Sequence, residues 1–270
     1  MLLLVDLDGV VYRGREPVPG VAEVLQRRAA VGDDVTYVTN NSRSHRDEYR
    51  ALLASLGLPL LGDHNIVSAA RATAVLLSQD EPRTQLAMVL GGPGLARELR
   101  DVGIAVVAPT ERGLDAPVDT LVVGVDFSFT YRRLSVAAEA VRRGARFVAT
   151  NRDPVYPVPE RLNAGAGSMV AAVAVAAGRE PDLVVGKPEP RLFQTAAGVA
   201  GVPVARAVVI GDNLLTDIRA ARAVGARSIL MLTGVTTADE LAAVPDELRP
   251  TAVAADAAQL EECLRELAGG

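Results

Sequence analysis

The sequence predicts an α/β protein built on an open parallel sheet, with a second α/β unit in the middle of the chain. Three observations carry that expectation. Leu2-Leu3-Leu4-Val5 is an apolar run bounded by Asp6, Asp8 and Gly9, the pattern of a strand buried on both faces that stops abruptly at its carboxyl end. Similar short apolar or β-branched runs alternate with helix-patterned segments along most of the chain. Past residue 80 this alternation begins afresh, over a length sufficient for an independent domain.

At 270 residues the chain has room for one large domain or two ordinary ones. Hydrophobic residues make up 49% and charged residues 23%, a globular balance, and the 3% aromatic content leaves the core to Ala, Val and Leu. With 33 acidic and 28 basic residues the net charge is −5 and no Lys/Arg cluster stands out, which argues against a nucleic-acid backbone as partner. The one cysteine, Cys263, excludes an internal disulfide, and it shares a helical stripe with Leu260, Leu264 and Leu267. The first apolar run lacks a basic leader and is broken by Asp6. The longest apolar segment, residues 169–177, falls short of the ~20 residues a spanning helix needs. No membrane partner and a cytoplasmic location are therefore expected.

Taken in order, residues 12–20 are rich in Gly and Pro and read as a loop leading into a helix at 21–30. Residues 35–38 form a second strand that ends in Thr39-Asn40-Asn41-Ser42. A hydroxyl and two amides at that place can donate to an anion without adding charge, and Ser42 can cap a helix starting near His45. Ile66-Val67 begins a third strand, followed by a helix at 69–77. In the middle section strands are expected at 85–90, 104–107, 120–125 and 146–149, with helices at 95–102, 131–143 and 166–177. Gly91-Gly92-Pro93-Gly94 and Gly165-Ala166-Gly167 lack dinucleotide-binding spacing and read as turn and helix-start glycines. Leu183-Val184-Val185 then runs into Gly186-Lys187-Pro188, where the flanking Gly and Pro aim one lysine at a strand's end as a counter-charge for phosphate. Residues 207–210 form another buried strand that ends in Gly211-Asp212. Asp217 falls in the first turn of the helix that follows, a position the macrodipole favours in any case. A strand at 228–232 and a helix at 256–267 close the chain.

Asp6 and Asp8, two apart on an extended backbone, project to one side. Buried carboxylates this close repel unless a cation lies between them, although an Asp-Gly turn accounts for the pair equally well in isolation. Taken together, Asp6 and Asp8, Thr39 to Asn41, Lys187, and Asp212 with Asp217 are all expected at carboxyl ends of strands, where open parallel sheets bind ligands. Three acids, a lysine and a polar loop describe an oxygen site for Mg²⁺ beside a phosphate pocket.

Asp6-Leu7-Asp8-Gly9-Val10, Val38-Thr39-Asn40-Asn41-Ser42, Gly186-Lys187-Pro188, and Gly211-Asp212 through Thr216-Asp217-Ile218 resemble, in order, the four signature motifs of the haloacid dehalogenase superfamily. The stretch between the second and third motifs, with Thr150-Asn151-Arg152-Asp153-Pro154 and Gly165-Ala166-Gly167-Ser168, resembles the α/β cap of its class-IIA phosphatases, a branch that includes p-nitrophenyl phosphate, phosphoglycolate and glycerol phosphate phosphatases. The resemblance implies a Rossmann-like parallel-sheet core over residues 1–80 and 186–270, with a smaller α/β cap inserted at 81–185. It implies a Mg²⁺-dependent phosphomonoester hydrolase of small soluble metabolites. Asp6 is then the nucleophile that becomes an aspartyl phosphate, and Asp8 is the general acid and base. Mg²⁺ is held by Asp6, the Asp8 main-chain carbonyl and Asp212, while Thr39, Asn40, Asn41 and Lys187 bind the substrate and Asp217 orients Lys187 or a metal-bound water. An acid two residues after the nucleophile speaks against dehalogenation, since halide leaves unprotonated. Leu215 stands where some relatives carry a further acid. Substrate choice is expected in the loop at 151–165, with Tyr156 where pyridoxal phosphate phosphatases tend to have histidine; Tyr156 as a simple turn residue is the competing expectation. A homodimer follows by analogy. A sugar phosphomutase and a non-catalytic phosphate-binding module are the alternative functions.

Overall fold

An apolar run such as Leu2-Leu3-Leu4-Val5 can lose both faces to the core only inside a sheet, and the strand Leu2–Asp6 is interior to one. The computed structural model describes residues 1–14, 16–60, 62–158 and 161–269. They divide into two units, one of Met1–Thr39, Asp47–Val67 and Lys187–Gly270, the other of Asn40–Arg46 and Ser68–Gly186.

The first unit holds a six-stranded sheet in the order Ala252–Ala254, Arg227–Met231, Ala207–Gly211, Leu2–Asp6, Asp34–Thr39, Ile66–Ser68. The pairings from Ala252–Ala254 across to Asp34–Thr39 are parallel. From Leu2–Asp6 the chain builds outward on one side, then returns to build outward on the other. The order therefore reverses between Leu2–Asp6 and Ala207–Gly211, and a crevice opens at such a point outside the carboxyl ends of the strands. Val5 pairs with Ile210, so Asp6 and Asp212 leave the sheet at the same edge. Val24 and Leu25 of the helix Val21–Ala30, and Leu260 and Leu264 of the helix Ala257–Gly269, pack with Leu3, Val35, Tyr37, Val208 and Ile229, and Cys263 and Leu267 lie partly buried beside them. Each fully buried Leu or Val side chain contributes roughly 1.5–3 kcal/mol.

The second unit has a five-stranded parallel sheet in the order Leu183–Val184, Arg146–Ala149, Thr120–Val123, Leu86–Leu90, Ala105–Val107. The helices Tyr131–Arg142 and Ala166–Ala177 pack on each other over a core that includes Met88, Leu121, Phe147 and Val173. Thr130 caps the first of these by accepting from the Arg133 N–H.

Several local expectations change. Leu183–Val184 joins the sheet of the second unit beside Arg146–Ala149, so Lys187 does not lie at the end of a strand of the first sheet. Ser42 does not cap the helix Arg46–Ser55; its buried oxygen accepts from the Thr150 hydroxyl at 3.0 Å. Tyr12–Arg13 pairs antiparallel with Glu16–Pro17 where loop alone is expected, and Val155–Val158 pairs antiparallel with Arg161–Ala164. The sequence-based boundary at 80/81 also differs from the observed division. Residues 40–46 and 68–80 belong to the second unit, where the helix Ala69–Gln79 packs on Pro93–Asp101. No helix among the described residues is long and apolar enough to cross a membrane.

Candidate active site

At the crevice of the first unit Lys187 Nζ lies 2.6 Å from Asp6 Oδ1 and 2.6 Å from Asp217 Oδ1. All three side chains are buried, as is Asp212, and oxygens of Asp6, Asp212 and Asp217 lie within 4.8 Å of one another. Three buried carboxylates thus face one ammonium. Burial pushes the Asp6 carboxyl well above its ordinary range; Lys187 opposes this, while Asp217 and Asp212 add to it. Burial, then Asp217, pushes Asp212 up to about 6, against the pull of the Val235 N–H and Lys187. Asp8 is open to solvent on one side, yet loss of surrounding water raises it too, with Lys187 opposing. For Lys187 burial disfavours the charge, but Asp217 and Asp6 outweigh it and hold the ammonium more firmly protonated than usual. An all-oxygen donor set with excess negative charge, in which Asp6 and Asp217 each give one oxygen to Lys187, could hold a hard divalent cation through Asp212 and the remaining oxygen of Asp6.

Backbone geometry makes this crowding possible. A Cβ on Gly211 would run into the Asp217 side chain, so the glycine ending the strand Ala207–Gly211 lets that acid fold back toward Lys187. Residues Leu214–Ile218 form a single π-helical turn rather than the first turn of an α-helix, a widening often found at functional sites. Asn213 starts it. Its side chain accepts from the Leu215 N–H at 2.9 Å, and its carbonyl accepts from the N–H groups of Asp217 and Ile218. Asp217 Oδ2 in turn accepts from the Asn213 N–H at 3.3 Å. Thr39, buried, closes the strand next to Leu2–Asp6.

Asn40, Asn41 and Tyr156 come together in the second unit. Asn40 Nδ2 donates to both carboxylate oxygens of Asp153 at 3.1 Å, and Asn41 Nδ2 donates to the Tyr156 hydroxyl at 3.1 Å. Asn151 Nδ2 donates to the Asn40 carbonyl at 2.7 Å. The Tyr156 ring meets Phe127 edge-on at 5.4 Å, and the Arg43 guanidinium lies 4.7 Å from the Phe127 centroid. Asp153, Phe127 and Arg43 are additions to the residues expected from sequence. A signal for the Asp153 contact exists in the paired Asx turns, with Asn41 Oδ1 accepting from the Arg43 N–H and Asn151 Oδ1 from the Asp153 N–H. Pro159 and Glu160 of the 151–165 loop lie outside the described residues.

A second group of potential metal ligands, His45, Glu98 and Asp101, is already compensated: Arg46 bridges both acids and Arg71 lies 3.7 Å from Glu98. Its chemistry is that of an ion-pair network.

Residues 3–105 match the family model for haloacid dehalogenase-like hydrolases, and residues 184–260 match a second model of the same hydrolase group. The chain is 38% identical over 266 residues to D-glycerol 3-phosphate phosphatase of Mycobacterium tuberculosis, covering 98% of this chain and 72% of the relative. Among solved structures, p-nitrophenyl phosphatase from Archaeoglobus fulgidus superposes with a TM-score of 0.88 at 31% identity, covering 97% of this chain and 98% of that one. The Mycobacterium tuberculosis glycerol phosphate phosphatase in complex with magnesium superposes with a TM-score of 0.86 at 36% identity, over 96% and 75% of the two chains.

Proposed function

Given that the chain belongs to the haloacid dehalogenase-like hydrolases and is a phosphatase, we propose that it hydrolyses small soluble phosphomonoesters in two steps through Asp6, with Mg²⁺ as its metal. The observation that carries this reading is the buried Asp6–Lys187–Asp217 chain beside Asp212. A carboxylate oxygen of Asp6 forms a bond to phosphorus while the ester oxygen leaves, and water then attacks the aspartyl phosphate and restores Asp6. Asp8 gives its proton to the departing oxygen and takes one from the incoming water; loss of surrounding water raises its pKa, the direction a general acid requires. Lys187, pinned by Asp6 and Asp217, presents a fixed positive charge beside the attacking oxygen. Thr39, Asn40 and Asn41 contribute uncharged donors toward the substrate. Asp6, Asp212 and the Asp8 carbonyl would hold Mg²⁺, which when bound supplies charge neutralisation between nucleophile and phosphate. The magnesium complex of the glycerol phosphate phosphatase relative supports the choice of metal.

Phosphate release from a panel of phosphorylated metabolites, glycerol phosphate among them, with Mg²⁺ and with chelator, tests the proposal. Activity on none of them, or equal activity in both conditions, contradicts it. The role of Asp8 has its own test. Asp8→Asn is expected to slow glycerol phosphate hydrolysis by roughly 10²–10⁴-fold but p-nitrophenyl phosphate far less, because nitrophenolate leaves without a proton. Equal losses on the two esters would rule out the general-acid assignment. Tyr156→Phe removes the acceptor for Asn41 and is expected to raise KM up to about tenfold with kcat little changed, the scale of one hydrogen bond. A KM equal to that of the parent on every active substrate would remove Tyr156 from the binding residues.

A further inference from the structure

After the strand Arg227–Met231 the chain makes a short loop, Thr233-Gly234-Val235-Thr236, with no charge and no titratable group. It nevertheless touches three segments that build the acid cluster. The Val235 N–H donates to Asp212 Oδ2 at 2.7 Å, and the Thr236 N–H donates to the Asp212 carbonyl at 3.1 Å. The Thr236 hydroxyl oxygen accepts from the Leu214 N–H at 3.2 Å, at the start of the π-helical turn that carries Asp217. The Thr233 hydroxyl donates to the Gly9 carbonyl at 2.6 Å, one residue after Asp8. Thr233 and Thr236 are both buried.

Steric evidence agrees. A Cβ on Gly234 would run into the Asp212 carboxylate, and so would a Cβ on Gly9, whose φ of +81° already favours glycine. Asp212 is therefore seated between two glycine surfaces, with one oxygen engaged by a main-chain donor. A charge-assisted hydrogen bond of this kind fixes the orientation of a carboxylate, and groups that orient ligating carboxylates govern metal affinity.

We propose that the Thr233–Thr236 loop is a positioning element for the metal site: it clamps Asp212 Oδ2 and the Gly9 carbonyl so that the second oxygen of Asp212 is presented to the cation. Resting on the metal reading above, this assigns to Gly234 and Thr233 a function that no charged group in the loop would suggest. Gly234→Ala pushes Asp212 from its seat. Thr233→Val removes the donor to Gly9 at nearly constant shape, and Thr233→Ser restores it.

The test is calorimetric titration of Mg²⁺ into each protein without substrate, together with the Mg²⁺ dependence of p-nitrophenyl phosphate turnover and the melting temperature in chelator. Gly234→Ala is expected to weaken Mg²⁺ binding at least about tenfold, the scale found when groups that orient metal ligands are removed. Thr233→Val should weaken it in the same direction, and Thr233→Ser should bind as the parent does. Turnover at saturating Mg²⁺ should fall much less than affinity. Unchanged Mg²⁺ affinity in folded Gly234→Ala overturns the proposal, as does a Thr233→Ser variant no better than Thr233→Val. If Gly234→Ala does not fold, the Thr233 pair decides. A parent protein that does not bind Mg²⁺ would instead refute the metal reading itself, so the two failures are distinguishable.

Discussion

Asp6→Asn is expected to lose phosphatase activity by roughly 10⁴-fold or more while folding at least as stably as the parent. The loss follows from chemistry: an amide oxygen is too weak a nucleophile to form the phosphoenzyme, and the remaining donors only bind the substrate. Stability follows from electrostatics. Burial raises the Asp6 carboxyl well above its ordinary value, and Asp217 and Asp212 raise it further than Lys187 can offset. The metal-free fold therefore disfavours the charge on this carboxyl. Asparagine removes that charge and keeps an oxygen for Lys187 Nζ, which retains its contact with Asp217. Phosphate release and thermal melting in chelator check both halves. Turnover within tenfold of the parent would exclude covalent catalysis by Asp6, and a markedly lower melting temperature would contradict the electrostatic account.

Which parts of this site can be read from sequence depends on how local their physical signals are. Asp6 and Asp212 each follow a run of apolar residues, so strand, strand end and acid can be read within ten residues. Lys187 is marked by its Gly and Pro neighbours. Its route is not, because an apolar pair such as Leu183–Val184 fits either parallel sheet, and only pairing with Arg146–Ala149 decides. Ser42 has the chemistry of a helix cap, and only the distant Thr150 hydroxyl diverts it. The antiparallel pair Val155–Val158 and Arg161–Ala164 is hidden by Pro157, which reads as loop. Gly234 gives no local sign at all, since its reason for being glycine is the carboxylate of Asp212, 22 positions earlier in the chain. Charged residues that carry chemistry announce themselves, whereas small residues that make room for them do so only in the folded chain.

Withdrawing divalent metal is expected to reduce turnover roughly 10³-fold or more, since the charge stabilisation a bound metal provides is worth several kcal/mol. It should also lower the melting temperature in a pH-dependent way. The sign comes from Asp212, whose carboxyl rises from 3.8 to about 6 in the metal-free fold. An acid with a raised folded-state value binds its proton more tightly in the fold than in the unfolded chain. Metal-free stability from this group is therefore fully present below the unfolded value and is lost as pH rises through about 6, a change on the order of 3 kcal/mol. Asp6 shifts in the same direction and deepens the loss. Mg²⁺ held as proposed would bind the ionised carboxylates, so it would oppose this penalty only where the penalty exists and would have to displace protons below it. Melting curves with Mg²⁺ and with chelator, taken at about pH 5 and about pH 7.5, should show the larger metal-induced shift at the higher pH. Equal shifts at the two pH values would mean that the buried acids of this cluster are not the groups that hold the ion, because no other arrangement of Asp6 and Asp212 lets them bind a cation without first giving up their protons.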